Sequence, residues 1–471
     1  MQSLIVAKFG GSAVGVDGAL IPAIIKRINE MRQGAKVVAV FSAPLTIYDG
    51  KQRSITDIAI MLGQRAEGGE SVGVDDLRKP YMKILEMVDK QQRDQCRKTV
   101  EGFLGTALHS LSEAAQKKEF ANETRARVLA YSGEILMSNV MAHVLRSAGI
   151  RAEAVGFDKW PIITDRNIES ANFLAAQSSQ SLGGIELLLE ANDVVSIGGF
   201  IGKTPEGAET TYERGGSDRT AADLGILLSK KYHAKIDFEK DSAVLSADPR
   251  VVKDELEYIT HLSYNEARIA GMFGMKILDP IAIKEIVENG VDMPITITDM
   301  ARPDKVTAIE RRPSARNGHP LKIVTGKRNC AILRMEAESA DNLFESLERD
   351  RRYNEFVVLS PFTKDGIEFT RILFLDGDYV KRNERYVLAF DPLASITYNR
   401  GVITLIGDEM WRVQQIASKA SSRIGEAGLN ILNMDAQEET SRIIIVTEDS
   451  GDSVERAIRA VHAERSKIKF V

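Results

Sequence analysis

The first apolar segment of the chain ends in a lysine that is followed almost at once by two glycines. Residues 4–7 are apolar, and Lys8-Phe9-Gly10-Gly11-Ser12 comes directly after them. A buried strand fixes the position of the lysine, and glycines let backbone N–H groups approach an anion with no Cβ in the way. A Gly-Gly pair after a strand is also typical of a simple turn. The segment is therefore either a turn or one wall of a phosphate-binding site.

Two further glycine-bearing turns favour the phosphate interpretation. The segment 193–197, which contains Val194, Val195 and Ile197, leads into Gly198-Gly199, and Gly215-Gly216 stands just before a helical pattern. Turns at strand ends and helix starts direct N–H groups and a helix dipole at an anion. We therefore predict that the three turns surround one polyphosphate. A P-loop or Rossmann site is disfavoured, because the chain has no G-x-x-x-x-G-K-[ST] and no strand-linked G-x-G-x-x-G.

Composition narrows the class of protein further. With 471 residues the chain is expected to form more than one domain. Its formal net charge of −5 argues against nucleic-acid binding. Cys96 and Cys330 are far apart and lack metal-site spacing, so a reducing cytoplasm is expected. Neither a leader nor a run of about 18 apolar residues is evident, so we expect a soluble cytoplasmic protein without membrane contact.

The first 300 residues alternate between apolar strands and amphipathic helices, which predicts an α/β fold with a mostly parallel sheet. Strand 37–42 follows a helical pattern at 20–32 and completes a βαβ unit with the lysine at the end of its first strand. A helical insertion is predicted at about 55–127, with a break at 67–70. A helix at 128–148 should end at the glycine cap Gly149.

A change in composition marks the end of this region. Residues 311–320 lack apolar periodicity and are predicted to be a linker. The segment 402–462 has the β-α-β-β-α order of a ferredoxin-like domain, and a degenerate repeat of it begins at Cys330. The predicted domains are 1–310, then module one at 321–400 and module two at 401–471.

The order and spacing of eight motifs resemble those of aspartokinases. The motifs are Lys8-Phe9-Gly10-Gly11-Ser12, Ser42-Ala43, Ser132-Gly133-Glu134, Ile163-Thr164-Asp165, Gly198-Gly199-Phe200-Ile201-Gly202, Arg214-Gly215-Gly216-Ser217-Asp218, Ala247-Asp248-Pro249-Arg250 and 273–280. The resemblance covers the full length of the chain. It implies an amino-acid-kinase domain in which helices sandwich the sheet, followed by two ferredoxin-like α+β ACT modules that pair between subunits.

The resemblance also implies a reaction. Aspartokinases transfer the γ-phosphoryl group of ATP to the β-carboxylate of aspartate for the lysine, threonine and methionine pathways. Positioning and charge neutralisation dominate such a transfer. The implied cofactors are ATP and Mg²⁺, the implied assembly is a homodimer or higher homo-oligomer, and an amino-acid effector is expected at the ACT modules.

Residue roles follow from the resemblance. Lys8 would contact the transferred phosphoryl group, and Asp218 would orient Lys8 and help the metal shell, unless it is only a helix cap. Arg214 would bind the substrate carboxylate and Glu134 its ammonium, unless Glu134 is an exposed helix carboxylate. Further substrate contacts are implied for Ser42, Tyr48 and Ser217. Nucleotide contacts are implied for Gly10, Gly11, Ser12, Gly198, Gly199, Gly215, Gly216, Asp248, Arg250 and Lys276, although Asp248-Pro249-Arg250 could be a plain turn.

The chain departs from the aspartokinase pattern at two places. Tyr48 and Asp49 stand where a Thr-Asn pair is usual near the amino-acid substrate, which motivates another acceptor such as homoserine. Glu239-Lys240 replaces a Thr-Asp pair and Leu245 a tyrosine in the nucleotide segment, which motivates a non-catalytic regulatory subunit as a third hypothesis. The leading interpretation remains an aspartate kinase.

Overall fold

The computed structural model describes residues 1–213, 215–312, 319–349, 355–437 and 440–468. They divide into two compact units, the first comprising Met1–Ala243 and Ile281–Glu310, the second Val244–Pro280 and Arg311–Val471. The segment 244–280, predicted as part of the kinase domain, thus groups with the second unit. Arg214 and residues 313–318 of the predicted linker lie outside the described residues.

The strands are numbered in chain order. They are β1 Ser3–Phe9, β2 Lys36–Phe41, β3 Leu45–Tyr48, β4 Lys51–Ser54, β5 Ala152–Ala154, β6 Val194–Gly198, β7 Ile201–Lys203, β8 Glu209–Thr211, β9 His233–Lys240, β10 His261–Ser263, β11 Ile295–Asp299, β12 Val306–Glu310, β13 Ile323–Glu336, β14 Phe356–Lys364, β15 Ile367–Phe374, β16 Ser395–Ile406, β17 Asn433–Ala436 and β18 Arg442–Glu448.

The α-helices are numbered in the same way. They are α1 Gly11–Val14, α2 Ile21–Met31, α3 Ile55–Glu67, α4 Asp75–Ile84, α5 Lys90–Lys117, α6 Asn122–Ser132, α7 Glu134–Ser147, α8 Ala175–Gln180, α9 Gly183–Ala191, α10 Gly216–Leu228, α11 Tyr264–Met272, α12 Pro280–Glu288, α13 Ala337–Arg349, α14 Gly377–Arg382, α15 Glu384–Leu388, α16 Ile416–Glu426 and α17 Ser453–His462.

The first unit is built on a mostly parallel sheet. Within this unit the strand order is β12-β11-β9-β1-β2-β6-β5, and β12 alone of these is recorded as antiparallel to its neighbour. β1 lies at the centre between β2 and β9, with Lys8 opposite Val40 on one side and Phe238 on the other. The carboxyl ends of β1, β2, β6 and β9 therefore share one edge of the sheet, where α/β proteins bind ligands.

Continuous apolar runs explain why these strands are central. β1 and β2 are almost entirely buried, as expected for parallel strands that are covered on both faces. The βαβ prediction is confirmed, because α2 connects β1 to β2 and buries Ile21, Ile24 and Ile28 at helical spacing.

The predicted helical insertion is present as α3, α4 and α5, with the break after Glu67. The helix predicted at 128–148 is instead two helices, α6 and α7, interrupted at Gly133. The buried Tyr81 hydroxyl stabilises the interruption by donating to the Ser132 carbonyl at 2.7 Å. The consequence is that Glu134 opens a new helix.

Among the residues that the structure describes, one helical stretch has the length and hydropathy to cross a membrane. It runs over Asn122–Ser147, and 89% of its most apolar window is buried inside the protein. A helix of a protein core meets the same criteria, so the stretch is weak evidence for a membrane span.

The second unit contains an antiparallel sheet in the order β14-β15-β13-β16-β18-β17. The unit has two hydrophobic cores, and the residues of one core come from both sides of the other along the chain. Val324 near the start of β13 packs with Ile403 and Leu405 of β16, whereas Leu333 further along β13 packs in the other core. Because both long strands run through both cores, the modules are nested, which differs from the predicted division at 400/401.

The segment 244–259 is attached to the core that contains Val324, Ile403 and Leu405. Ala247 and Val252 are buried in it. Ser246 lies 2.9 Å from the His462 ring nitrogen, and its carbonyl accepts a hydrogen bond from the Val324 amide. These contacts explain why this segment groups with the second unit.

Candidate functional site

Lys8 and Asp218 form a nearly buried ion pair at the carboxyl edge of the sheet. The Lys8 ammonium lies 2.7 Å from Asp218 Oδ1, and their side chains are 12% and 9% exposed. Lys8 is at the end of β1, and Asp218 is in the first turn of α10. Opposite charges at this distance attract strongly where the site is enclosed and poorly screened by water. The geometry fits the role predicted for Asp218 in orienting Lys8.

The glycine turns meet around this ion pair. A Cβ on Gly199 would lie 2.7 Å from Ser217 Cβ, so only glycine lets these two turns touch. Ser42 Oγ donates to Ser217 Oγ at 2.9 Å. A Cβ on Gly10 would lie 3.1 Å from the Lys8 nitrogen. The structure therefore brings the three predicted turns together at one place.

The remaining predicted glycines lie in the same region. Gly215 has φ +92°, which favours glycine, and a Cβ on Gly216 would lie 2.4 Å from Tyr212 Cβ. Gly198 packs against the backbone of Glu134, and Gly11 packs against the Ala43 carbonyl. Ser12 lies in α1 and is exposed.

Glu134 is a buried carboxylate beside the glycine turns. Its exposure is 4%, so the alternative of an exposed helix carboxylate is wrong. Oε1 accepts long hydrogen bonds from the Ala43 amide at 3.4 Å and from Thr56 Oγ1 at 3.5 Å. Oε2 has no hydrogen-bond partner within the part of the chain that the structure describes. Burial raises the pKa of Glu134 to about 7, against the opposing effect of these hydrogen bonds. A cationic group of a ligand would satisfy this carboxylate.

A role of Tyr48 in substrate binding stays a prediction. Tyr48 ends the first strand of the hairpin β3–β4, with Asp49 at the turn, and its phenol lies beside Arg65. The hairpin adds residues before α3, so the threonine that reaches Glu134 is Thr56. Sequence reasoning missed Thr56 because Tyr48 was counted at a fixed distance from Ser42. The signal was present as the turn chemistry of Asp49-Gly50.

Lys240 is a second lysine at the ion pair, and sequence reasoning did not assign it to the site. Its ammonium lies 3.7 Å from Asp218 Oδ2, and its side chain is 19% exposed. Burial lowers the pKa of Lys240, Asp218 opposes this effect, and Lys8 adds to it. Lys240 could have been found from strand pairing, because β9 is the parallel neighbour of β1.

Glu239, the other half of this departure, faces away from Asp218. It is fully buried and accepts hydrogen bonds from Arg27 at 2.9 and 2.7 Å. Burial raises the pKa of Glu239 to about 7, which the Arg27 hydrogen bonds oppose. Its contacts attach α2 to the sheet.

A buried polar cluster supports the first turn of α10. Arg219 donates to Glu285 at 2.7 Å, and its guanidinium lies 4.1 Å from the centre of the Tyr212 ring. The Tyr212 hydroxyl donates to Asp223. Burial raises the pKa of Tyr212 and of Asp223 well above their usual ranges. The cluster holds the segment before Gly215 against the helix that carries Asp218.

The three other predicted nucleotide contacts belong to the second unit. Asp248 accepts hydrogen bonds from the Arg250 amide at 2.8 Å and from its Nε at 3.0 Å, while Arg250 is 67% exposed. The pKa of Asp248 is lowered by Arg250, with a smaller contribution from Lys276. This local pairing is that of a turn. A role of these residues in nucleotide binding stays a prediction.

The donor set bears on the expected Mg²⁺. Among the described residues, no group of three or more His, Cys, Asp or Glu side chains is arranged to hold a metal. Asp218 is shared by two lysines. Mg²⁺ binds nucleotide phosphates while keeping waters and needs few protein ligands. The use of Mg²⁺ stays a prediction.

The fold is that of an α/β protein with glycine turns grouped at one edge of its sheet. Comparison with protein families identifies the class of protein to which it belongs. The model of the amino acid kinase family matches residues 3–299. The chain belongs to the amino acid kinase family.

Individual relatives are aspartokinases. The chain is 26% identical to lysine-sensitive aspartokinase 3 of Escherichia coli over 63% of this chain and 62% of that protein. It is 24% identical to the chloroplastic aspartokinase 3 of Arabidopsis thaliana over 97% of this chain and 81% of that protein.

Solved structures agree on the fold. E. coli aspartokinase III in complex with aspartate and ADP aligns with a TM-score of 0.77 at 19% identity, covering 98% of this chain and 99% of that one. Aspartate kinase of Clostridium acetobutylicum aligns with a TM-score of 0.69 at 18% identity, covering 98% and 100%. The predicted fold class, an amino-acid-kinase domain followed by α+β modules, is confirmed.

Proposed function

We propose that the protein is an ATP-dependent aspartate kinase that converts L-aspartate to 4-phospho-L-aspartate at the start of lysine, threonine and methionine biosynthesis. The observation that carries the proposal is the enclosed Lys8–Asp218 pair, ringed by three glycine turns and adjacent to the buried Glu134. The aspartokinase names of the relatives support the same activity.

The phosphoryl transfer needs little acid–base chemistry from the protein. A β-carboxylate oxygen of aspartate attacks the γ-phosphorus of ATP, the bond to the β,γ-bridging oxygen breaks, and ADP leaves with that oxygen. The acceptor is already ionised at neutral pH, so no proton must be removed. Catalysis then rests on alignment and on stabilising the charge of the transferred group.

Lys8, the Gly10 amide and the dipole of α10 supply that stabilisation. Lys8 is held by Asp218 in a position fixed by β1, so little reorganisation is needed when the phosphoryl group moves. The Gly10 N–H group and the N-terminal dipole of α10 would face the phosphate oxygens. The Gly199 and Gly216 N–H groups donate to the Phe41 and Glu213 carbonyls, at 2.8 and 3.0 Å. Mg²⁺ bound to the ATP phosphates would neutralise further charge.

Glu134 is proposed to bind the ammonium of aspartate. Its Oε2 lacks a hydrogen-bond partner among the residues described, and the carboxylate is buried. Thr56 and the Ser42–Ser217 pair provide hydroxyl donors nearby. Arg214 would bind the α-carboxylate, although it lies outside the described residues.

The second unit is proposed to bind an amino-acid effector and to pair between subunits of a cytoplasmic homo-oligomer. The support is its regulatory-type fold, since E. coli aspartokinase III in complex with lysine and aspartate also aligns, with a TM-score of 0.67 at 19% identity over 98% of this chain and 99% of that one.

Homoserine is the alternative acceptor, motivated by Tyr48 and Asp49 in the β3–β4 hairpin. The aspartokinase names of the relatives favour the carboxylate of aspartate.

The test is a coupled ADP-release assay with aspartate, glutamate, homoserine and asparagine as alternative acceptors. Aspartate should be preferred, and hydroxylamine should trap its product as aspartyl hydroxamate. The variant Lys235→Met is a matched control, because this lysine is at the opposite end of β9 and 40% exposed. Turnover with homoserine but not with aspartate would refute the acceptor, and no turnover with any acceptor would refute the activity.

A further inference from the structure

A cluster of polar and charged side chains lies where α11 meets the start of β18 in the second unit, and we call it the α11–β18 cluster. The Asn265 amide donates to Ser441 Oγ at 2.8 Å, and Ser441 Oγ donates to Asp408 Oδ1 at 2.7 Å. Arg268 in turn donates to Asn265 Oδ1 at 3.1 Å. These three hydrogen bonds connect a guanidinium to a carboxylate through two neutral side chains. The proposed phosphoryl transfer uses none of these residues.

One end of the cluster carries two arginines. Arg268 donates only to Asn265 and to the sulfur of Met272 among the described residues. Arg442 lies 3.9 Å from Asp435, and its buried Nε has no hydrogen-bond partner in the part of the chain that the structure describes. Burial lowers the pKa of Arg442, Asp435 opposes this effect, and Arg268 adds to it, so the two guanidinium groups lie close. Each arginine therefore has N–H groups available for an oxyanion.

The other end of the cluster carries two carboxylates. Asp408 Oδ1 accepts from the Ser263 and Ser441 hydroxyls, whereas the buried Oδ2 accepts no hydrogen bond from any described residue. The Asp408 amide donates to Glu266, which pairs with Lys322 at 2.7 Å. Burial raises the pKa of Glu266, Lys322 opposes this effect, and Asp408 adds to it. A cationic donor would satisfy Asp408 Oδ2.

The charges at the two ends are equal in number and differ in arrangement. The cluster combines three cations with three anions: Lys322, Arg268, Arg442, Glu266, Asp408 and Asp435. A ligand with no net charge but with opposite charges at its two ends would satisfy both ends without adding an unpaired charge. A free α-amino acid has this form, because one carbon separates its ammonium from its carboxylate. The Arg442 side chain is 17% exposed, so the cluster is in contact with solvent.

We propose that the α11–β18 cluster binds an α-amino acid as a zwitterion, with its carboxylate on Arg268 and Arg442 and its ammonium on Asp408 Oδ2. The inference rests on the proposed function, since it locates the effector site of the second unit. Asn265 and Ser441 hold the two ends of the site together. A bound amino acid would connect α11 with β18 and with the loop that follows β16.

The experiment is isothermal titration calorimetry of the full-length protein with L-lysine, L-threonine and L-methionine. It compares the unaltered protein with Arg442→Gln, Asp408→Asn and the control Arg456→Gln, an exposed arginine on α17 outside the cluster. Each of the first two variants should bind the amino acid about 10- to 100-fold more weakly, the range of a lost charge-assisted hydrogen bond. The control should bind as the unaltered protein does. Circular dichroism melts check that each variant is folded.

Derivatives of the amino acid that binds test each end of the site separately. The α-N-acetyl derivative lacks the ammonium, so Asp408→Asn should weaken its binding no further. The α-carboxamide lacks the carboxylate, so Arg442→Gln should weaken its binding no further. Such non-additivity is expected where the altered residue and the removed charge contact each other.

The outcomes separate this site from the proposals on which it rests. Amino-acid binding that is unchanged in both variants would overturn the site and leave an effector site elsewhere in the second unit. Acetate or inorganic phosphate that binds as tightly as the amino acid would overturn the zwitterion assignment. If none of the three amino acids binds, the site and the effector proposal are both overturned, while aspartate-dependent ADP release decides the kinase activity independently. If Arg442→Gln does not fold, Asp408→Asn with the N-acetyl derivative decides the question.

Discussion

Thr56 Oγ1 lies 3.5 Å from Glu134 Oε1, although 78 residues separate the two in the chain. Each residue stands at the start of a helix, Thr56 in α3 and Glu134 in α7. The helical insertion between them therefore returns to its starting point. The insertion therefore positions two candidate substrate-binding residues, a role that its charged, helical sequence did not indicate.

Substitutions at Thr56 and Tyr48 test which of these two residues lies near the substrate. Thr56→Val removes the hydroxyl beside Glu134 and should raise KM for aspartate about 5- to 20-fold, as expected for the loss of one hydrogen bond. Tyr48→Phe should leave KM within twofold, because the phenol lies beside Arg65. Steady-state kinetics at saturating ATP measures both. A larger effect at Tyr48 than at Thr56 would contradict the assignment.

Glu134→Gln should stabilise the ligand-free protein while weakening aspartate binding. The pKa of Glu134 is raised from 4.5 to about 7, so the folded state binds the proton more tightly than the unfolded chain. This contribution to stability is fully present below pH 4.5 and is lost as pH rises to about 7. Above that pH the burial cost is about 3 kcal/mol, and glutamine avoids it. Urea denaturation at pH 5 and pH 8 measures the difference.

The same carboxyl should control the pH profile of aspartate use. Only the ionised form of Glu134 pairs with an ammonium, so kcat/KM for aspartate should rise with pH through about 7. Glu134→Gln should lower kcat/KM and flatten this limb. Initial rates between pH 5.5 and 8.5 provide the profile, and an unchanged limb in the variant would assign it to another group.

Lys8→Met should lower kcat about 10²- to 10³-fold, since it removes a preorganised cation from the transferred phosphoryl group. The fold should be retained, because Asp218 keeps Lys240 as a neighbour. Lys26→Met is the matched control, an exposed lysine on α2 with no place in the site. Comparable activities of the two variants would refute the role of Lys8.

Gly199→Ala should disrupt the meeting of two phosphate turns. The added Cβ would lie 2.7 Å from Ser217 Cβ, closer than carbon atoms pack. We expect an overpacking cost of about 1–3 kcal/mol in the free energy of unfolding and a weaker affinity for ATP. At the control position Gly34 an added Cβ would meet no atom within 4 Å. Thermal melts and ATP titrations of both alanine variants distinguish a local clash from a general effect of losing glycine.

Glu285→Gln tests the support beneath α10. Arg219 is 5% exposed and loses its charged partner, so the protein should be destabilised by about 3–5 kcal/mol. The neighbouring Lys284 is 53% exposed and pairs only with Glu288 among the contacts recorded for it, so Lys284→Ala should change stability by less than about 0.5 kcal/mol. Chemical denaturation measures both variants.

The fold was predicted correctly where the pattern of a few neighbouring residues is enough, as in a buried strand or a glycine turn. Continuous apolar runs identified β1 and β2, and the Lys8 and Gly199 turns were assigned to one site that the structure assembles. These features depend on burial and backbone sterics within a few residues. Such requirements are legible in a single sequence.

The features that the sequence did not reveal depend on register over longer distances. Counting residues from Ser42 led to Tyr48, because a hairpin that lengthens a connection leaves little trace in apolar periodicity. Lys240 was missed because its role arises from the pairing of β9 with β1, more than 200 residues apart. The nested cores were missed because a strand that serves two cores has the same alternation as one that serves a single core.

The sharing of β13 and β16 has a consequence for how the second unit could be divided. Each strand contributes residues to both hydrophobic cores, and the two strands pair with each other along both, with shifts of register between Lys327 and Ile332. Neither core could therefore be removed without taking strands from the other. A cut between residues 323 and 406 would leave each piece without a full set of strands.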